Sequence, residues 1–343
     1  MTSFLRADRS RAVASWLLIV AALVLGMVVL GGTTRLTGSG LSITQWKPLS
    51  GVLPPLSQAD WKQAFEGYRQ IPQFRLVNPT MTLEQFRFIY WWEWAHRLLA
   101  RLLGVVFLIP FAWFAIRRQL PRRLWWQFAV IIGLCALEPI VGWWMVASGL
   151  AGRVYVAPER LMIHLGIAVA LLGALIWTAL DAWAGQARQT LPSPWGSRGL
   201  WLIGLIYFQM LLGALVAGNQ AGLVYNDWPL FAGHLFPSDY AGPGLWATLA
   251  HSQAAVQLHH RLVAYLLTIV ALGLGGAAWR SSYLPPASKA LGLGLGLLVL
   301  FQAGLGVATL MARAPVGLGV AHQLTAALTL SLAVTFAWRV RRL

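Results

Sequence analysis

The 343-residue chain has one cysteine, ten acidic residues and only 10% charged residues in all, and each scarcity excludes something. A single thiol, Cys135, rules out an intramolecular disulfide and any cysteine-based zinc or iron–sulfur site. Set inside an apolar run, it reads as a small buried packing residue. Soluble domains carry about 25% charged residues, so 10% charged with 58% hydrophobic residues and a mean hydropathy of +0.64 excludes an ordinary soluble domain. Lys and Arg are absent from the whole stretch Asn219 to Gln253. A net charge of +16 would suggest nucleic acid in a soluble chain; here its uneven distribution gives it another meaning, and no nucleic-acid partner is expected.

What the chain does have is long apolar runs. Eight stretches of about 20 residues are centred near Val24, Val106, Ile131, Ala170, Ile206, Thr268, Leu297 and Ser331, each long enough as a helix to cross a hydrocarbon core about 30 Å thick. The chain is read as an all-α integral membrane protein with eight transmembrane helices. Arg6, Arg9 and Arg11, then Arg117, Arg118, Arg122 and Arg123, then Arg188 and Arg198, Arg280 and Lys289, and Arg339, Arg341 and Arg342 fall in alternate connections, which are expected to be cytoplasmic by the positive-inside rule. Both termini are therefore expected on the cytoplasmic side. The outer loop 35–85 carries five basic residues, but loops of that length follow the rule less strictly. The first segment, Trp16 to Leu30, begins like a signal peptide and runs into Gly31-Gly-Thr-Thr-Arg35 instead of a cleavage site, so it is read as a retained helix. No transit-peptide pattern precedes it, which favours a bacterial plasma membrane.

An internal repeat organises the chain. His96-Arg-Leu-Leu-Ala-Arg-Leu-Leu103 matches His260-Arg-Leu-Val-Ala-Tyr-Leu-Leu267 at six of eight positions, Leu25-Gly26 with Gly31 matches Leu212-Gly213 with Gly218, and His164 matches His322. Two repeat-related four-helix bundles of parallel topology follow: an N-terminal half 1–184, a cytoplasmic linker 185–199 and a C-terminal half 200–343. His96 precedes Arg117 by 21 residues and His260 precedes Arg280 by 20, about 30 Å of helix; His164 and His322 precede Asp181 and Arg339 by 17 each, about 25 Å. All four imidazoles then lie toward the outer leaflet.

A lone histidine at a membrane interface is usually an amphipathic side chain at the headgroups. Four at matched depth and repeat-related positions argue for function. Two histidines on facing helices of a bundle can hold a flat macrocycle by its iron, so His96 with His164 and His260 with His322 are the candidate metal ligands of two haems. His259 rivals His260, but the His-Arg match to His96-Arg97 selects His260. His234 and His251 are read as solvated loop residues. Glu93 stands three residues before His96, on the same helical face, where the second half has Gln257. A carboxylate there can take a proton from the macrocycle edge or stabilise positive charge on it; the alternative is an ion pair with Arg97 or Arg101. Arg35, Arg97 and Arg261 lie at the same level and suit haem propionates or headgroup phosphates.

The motifs resemble one family across essentially the whole chain, the haem A synthases: Gly31-Gly-Thr-Thr-Arg-Leu-Thr-Gly-Ser-Gly-Leu-Ser42 with Trp46-Lys-Pro48 and Pro54-Pro55, Glu93-Trp-Ala-His-Arg97, Gly142-Trp-Trp-Met-Val-Ala-Ser-Gly-Leu150, Arg160-Leu-Met-Ile-His164, Ala217-Gly with Tyr225-Asn-Asp-Trp-Pro229, His260-Arg-Leu-Val-Ala-Tyr265 and Ala321-His-Gln323. The resemblance implies a membrane oxidoreductase that oxidises a ring methyl of haem O to the formyl group of haem A, through hydroxylated intermediates, for cytochrome oxidase assembly. It implies a resident haem b on His260 and His322, a substrate haem O framed by His96 and His164, and Glu93 at the family's essential acidic position. Expected partners are haem O, membrane lipid, a haem O synthase and an electron partner, with a homo-oligomer left open. The chain departs from the family in having no cysteine pair in an outer loop, which excludes a thiol step there, and in having Glu138-Pro139 where Gln-Gly is expected. Glu138 either relays protons or is a kink-associated acid bonded to a neighbouring helix. Trp91, Trp92, Trp94, Trp143 and Trp144 wall a macrocycle pocket or form an interfacial belt. Two rival classes remain: an electron-carrying dihaem cytochrome, which would normally set its haems toward opposite faces, and a haem transporter, whose site would lie at the midplane among broken helices.

Overall fold

The computed structural model describes residues 2–48, 50–185 and 193–341, with the side chains of residues 2–10 outside the described set. Among the described residues there is no β-strand, and eight helices are long and apolar enough to span a membrane. In chain order the helices are α1 (Thr2–Leu36), α2 (Gln58–Arg69) and α3 (Pro72–Leu76) in the first long loop, α4 (Leu83–Ile116), α5 (Trp125–Ala151), α6 (Pro158–Ala184), α7 (Pro194–Gly218), α8 (Leu245–His251) in the second long loop, α9 (Gln253–Arg280), α10 (Pro286–Met311) and α11 (Val316–Val340). All eight apolar stretches are helices. The expected linker 185–199 differs: residues 186–192, with Arg188, lie outside the described residues, and α7 already starts at Pro194. The reason is local, since Ser193 accepts a bond from the Trp195 N–H and proline suits the first helical position. The side chains of Arg6 and Arg9, and Arg342, are likewise outside the described residues.

Four helices make the centre. α1 packs on α6 and α11, and α7 packs on α6 and α11, so a single apolar core runs through both halves. α4 flanks α1 and α5 flanks α6 on one side; α9 and α10 flank α7 and α11 on the other. The two flanks are built differently. α9 and α10 approach backbone to backbone: a Cβ on Gly292 would stand 2.7 Å from Ala278 Cβ, and one on Gly296 would stand 2.9 Å from the Ala271 carbonyl. The backbones of α4 and α5 do not pack closely. Aromatic rings fill the gap instead: Phe107 and Phe128 lie 5.5 and 6.3 Å from Trp16 between ring centroids, and Phe111 lies 6.0 and 5.9 Å from Phe107 and Phe128.

The first loop has its own core of Leu41, Trp61, Tyr68, Ile71, Phe74 and, from α4, Phe86, Ile89 and Tyr90. Reciprocal capping boxes start α2 (Ser57 with Asp60) and α4 (Thr82 with Gln85). α1 ends in a Schellman turn in which Ser39 N–H reaches Thr34 O at 2.8 Å and Gly38 N–H reaches Arg35 O at 3.1 Å. Gly38 takes φ +67°, a conformation that costs an L side chain about 1–2 kcal/mol. That turn directs the next residues back across α4.

At the opposite end of the bundle Asp181 ties the halves together. It accepts from Arg341 Nη2 at 2.5 Å, Trp338 Nε1 at 2.9 Å and Gln127 Nε2 at 2.8 Å, while Arg123 donates to its carbonyl at 2.6 Å.

Candidate functional site: two histidine pairs in one layer

Each candidate ligand faces a glycine on the preceding transmembrane helix. A Cβ built on Gly31 would stand 3.1 Å from His96 Nε2; one on Gly142, Gly213 or Gly306 would stand 3.1, 3.2 or 2.8 Å from Cε1 of His164, His260 or His322. The imidazoles are thus set against bare backbone, close to the C-terminal ends of α1, α5, α7 and α10. His96 lies close to His164, and His260 close to His322. Both pairs share one end of the bundle: Gly32, next to Gly31, abuts the Gln323 side chain, which follows His322. The matching glycines of α1 and α7 are therefore Gly31 and Gly213. The sequence repeat had paired Gly31 with Gly218, five residues away, but a Cβ on Gly218 would meet Pro158 at the start of α6.

One turn before each facing glycine is a side chain that sequence reasoning missed or left open. Gln209 Nε2 lies 3.0 Å from His260 Nδ1 and 3.0 Å from the His260 carbonyl; Gln302 Nε2 lies 3.1 Å from His322 Nδ1 and 2.9 Å from the His322 carbonyl. Glu138 Oε2 comes within 2.8 Å of His164 Nδ1, a close charge approach at an angle short of a hydrogen bond. Of the two readings of Glu138, contact with a neighbouring helix is the one the geometry carries. The common signal is a spacing of four residues, Gln209 to Gly213, Gln302 to Gly306 and Glu138 to Gly142, with Met27 to Gly31 as the fourth member.

Glu93, only 2% exposed, is surrounded by donors. Ser42 Oγ and the Ile43 N–H donate to Oε2 at 2.7 and 2.8 Å, and Arg97 Nη2 donates to Oε1 at 2.6 Å. A carboxylate, an acceptor at both oxygens, satisfies that arrangement. The ion pair is with Arg97; Arg101 turns away to the carbonyls of Lys47 and Pro48. In the second half Gln257 Oε1 accepts from Arg261 Nη2 at 2.9 Å in the same register.

The arginines divide. Arg97 donates to the carbonyls of Ile43 and Gln45, and Arg261 to those of Tyr225, Asp227, Pro229 and Leu230, so both hold loops in place. Arg261 also lies over the Phe231 ring at 4.0 Å, which explains the Tyr225 to Pro229 motif as the wrapping around one guanidinium. Arg35 is half-buried and, among the described residues, its guanidinium makes no hydrogen bond or ion pair.

The remaining residues singled out earlier serve the loops. Trp143 packs on Trp46 at 5.0 Å beneath Arg97, Trp94 donates to the Val52 carbonyl, and Trp91 meets Trp61 and Trp94. His259 pairs with the Tyr240 hydroxyl at 3.0 Å, leaving His260 as the bundle-facing member. His234 is exposed, and His251 approaches Glu159 at 3.7 Å. In the first loop the Ser57 hydroxyl bond holds the Asp60 carboxyl below its ordinary range, and burial pushes the Tyr68 phenol up. Among the described residues no three or more His, Cys, Asp or Glu side chains cluster as a bare metal site.

Eight spanning helices and two histidine pairs in one layer define a class: a polytopic α-helical membrane protein with paired imidazoles inside its bundle. Comparison narrows it. The chain belongs to the COX15-CtaA family of cytochrome oxidase assembly proteins, whose model matches residues 14–334. It is similar to proteins named heme A synthase from Caulobacter sp. (strain K31), at 62% identity, and Caulobacter vibrioides, at 60%, each over the full length of both chains. A third relative of that name, from Maricaulis maris, is 46% identical over 97% of each chain.

Proposed function

We infer that this chain is a haem A synthase, a membrane oxidoreductase that converts haem O to haem A for cytochrome oxidase. The observation that carries the reading is an asymmetry between two similar sites: both have a histidine pair, but only the first has a buried carboxylate, Glu93, one turn from its ligand. In this reading His260 and His322 hold a resident haem b, His96 and His164 frame the substrate, and the haem sites face the periplasmic side of a bacterial plasma membrane with both termini in the cytoplasm. The alternate basic connections support that orientation.

The residues fit the group. An imidazole that binds iron through Nε2 carries its proton on Nδ1 and needs an acceptor there. Glu138 already offers one to His164. Gln209 Oε1 and Gln302 Oε1 are buried without partners, and presenting that oxygen at Nδ1 requires each side chain to give up its bond to the His260 or His322 carbonyl. Bound haem b supplies one-electron chemistry. The chain's own part is to fix both imidazoles, to exclude water with the first loop and to hold Glu93 as an acceptor for a proton, or a counter-charge, at the methyl being oxidised. Arg35 is the guanidinium left free for a propionate; Arg97 and Arg261 contribute through the loops that they hold.

A second reading has its own support, since the Glu93 oxygens are filled by Ser42, Ile43 and Arg97: Glu93 latches the first loop. Glu93→Gln separates the two, because Gln257 keeps the same latch with Arg261. Pigment analysis of purified wild type and Glu93→Gln, from cells that supply haem O, is the test. Haem A or its hydroxylated precursor in wild type, with haem b but no product in Glu93→Gln, supports catalysis at Glu93. Product at the wild-type level in Glu93→Gln assigns it to the latch, and a wild type holding only haem b, two per chain, overturns the synthase reading in favour of an electron carrier.

A further inference from the structure

Three of the four ligand histidines have a polar side chain beside Nδ1, delivered from one turn before the facing glycine: Glu138, Gln209 and Gln302. The fourth position is Met27, one turn before Gly31 on α1. A thioether is at best a weak acceptor. A second observation singles out the same histidine. His164, His260 and His322 turn the Cε1 edge toward their glycines, whereas His96 turns Nε2 and Cδ2 toward Gly31. Among the described residues neither the His96 nor the His164 ring makes a side-chain hydrogen bond, but His164 has the Glu138 carboxylate at 2.8 Å and His96 has no polar side chain in contact.

We propose that His164 is the fixed ligand of the substrate haem, with Glu138 as its positioning residue, and that His96 is the ligand that leaves to open a coordination position. The proposal rests on the synthase reading and says which of the two imidazoles is released. An outer-shell partner orients a ligating histidine and raises its basicity, and losing one typically weakens metal binding 10–100-fold. His96 lacks that partner by sequence, so it starts the weaker of the two. The second half has a partner on both histidines, as suits a group that stays.

The test uses full-length protein in detergent, chemically reduced, before and after loading with haem O. Carbon monoxide binds a six-coordinate haem only after one histidine has left. The expected result is a CO-reactive signal that appears only on loading, with the resident haem b inert. His96→Ala is expected to keep the loaded haem and leave it CO-reactive, whereas His164→Ala is expected to weaken haem O retention 10–100-fold. Glu138→Ala is expected to weaken haem O retention 10–100-fold, and Glu138→Gln to restore it to within a few-fold of wild type. Retained haem b in each variant is the control for folding. Haem O retention lost in His96→Ala and kept in His164→Ala, or unchanged in Glu138→Ala, overturns the proposal and leaves the synthase reading standing. A wild type that takes up haem O and gains no CO reactivity overturns the proposal alone, and one that takes up no haem O overturns both.

Discussion

A glycine opposite each ligand histidine is a matter of space more than of backbone freedom. Gly306 has an ordinary helical backbone, yet a Cβ there would stand 2.8 Å from His322 Cε1, under the contact limit of real side chains. Gly304, two residues away, would meet nothing within 4 Å. Gly306→Ala is therefore expected to displace the imidazole and lower haem b content to a small fraction of wild type, while Gly304→Ala leaves it intact; a haem-to-protein ratio on the purified variants decides. The histidines and Glu93 were readable in the sequence because ionisable side chains are rare in apolar runs. Gln209 and Gln302 were not, since uncharged amides acquire meaning only once it is known which helix face meets which histidine. Ile43 was unreadable in principle, because its contribution to Glu93 is a backbone N–H that any residue but proline would supply.

The helices themselves were legible as apolar runs, and the errors fell on register and on loops. Repeats align by identity, so Gly31 was matched to Gly218, whereas packing against the histidine selects Gly213. The first loop was legible in the sequence only as a long outer loop; its two short helices follow from Ser57, Pro72 and the aromatic cluster around Tyr68. The start of α2 is where pH acts on this element. The Asp60 carboxyl is held below its usual value by Ser57. A depressed carboxyl stabilises the folded form above its unfolded pKa of 3.8, and that contribution is lost as pH falls through the lower folded value. Amide exchange in the first turn of α2 is expected to quicken as pH drops below about 4, and Ser57→Ala is expected to abolish the pH dependence while α4 stays protected.

Across the whole molecule, the repeat suggested two halves, and it gave no sign of the contacts that join α5, α6 and α11. Asp181 served in the sequence only to mark a helix end. In the structure it joins α5, α6 and α11 through Gln127, Arg341 and Trp338. Removing one partner of a largely buried ion pair costs about 3–5 kcal/mol. Asp181→Ala is expected to lower the thermal midpoint in detergent by several degrees, because it strips Arg341, Trp338 and Gln127 of their acceptor at once, with Arg341→Met less harmful because Asp181 keeps its bonds from Trp338 and Gln127; differential scanning of both variants checks the order.

The close approach of Gly32 to Gln323 has a consequence for how the molecule can be divided. One wall of the first histidine layer is α1, and its outer side is lined by α11, which carries a ligand of the second layer. A fragment ending near Ala184 would leave the α1 and α6 faces bare to lipid and Gly32 without the side chain that fills it. The halves resemble each other as separable modules would, yet neither encloses its own ligand layer. Cutting the chain at its linker, or exchanging one half for that of a relative, would therefore disturb both layers at once.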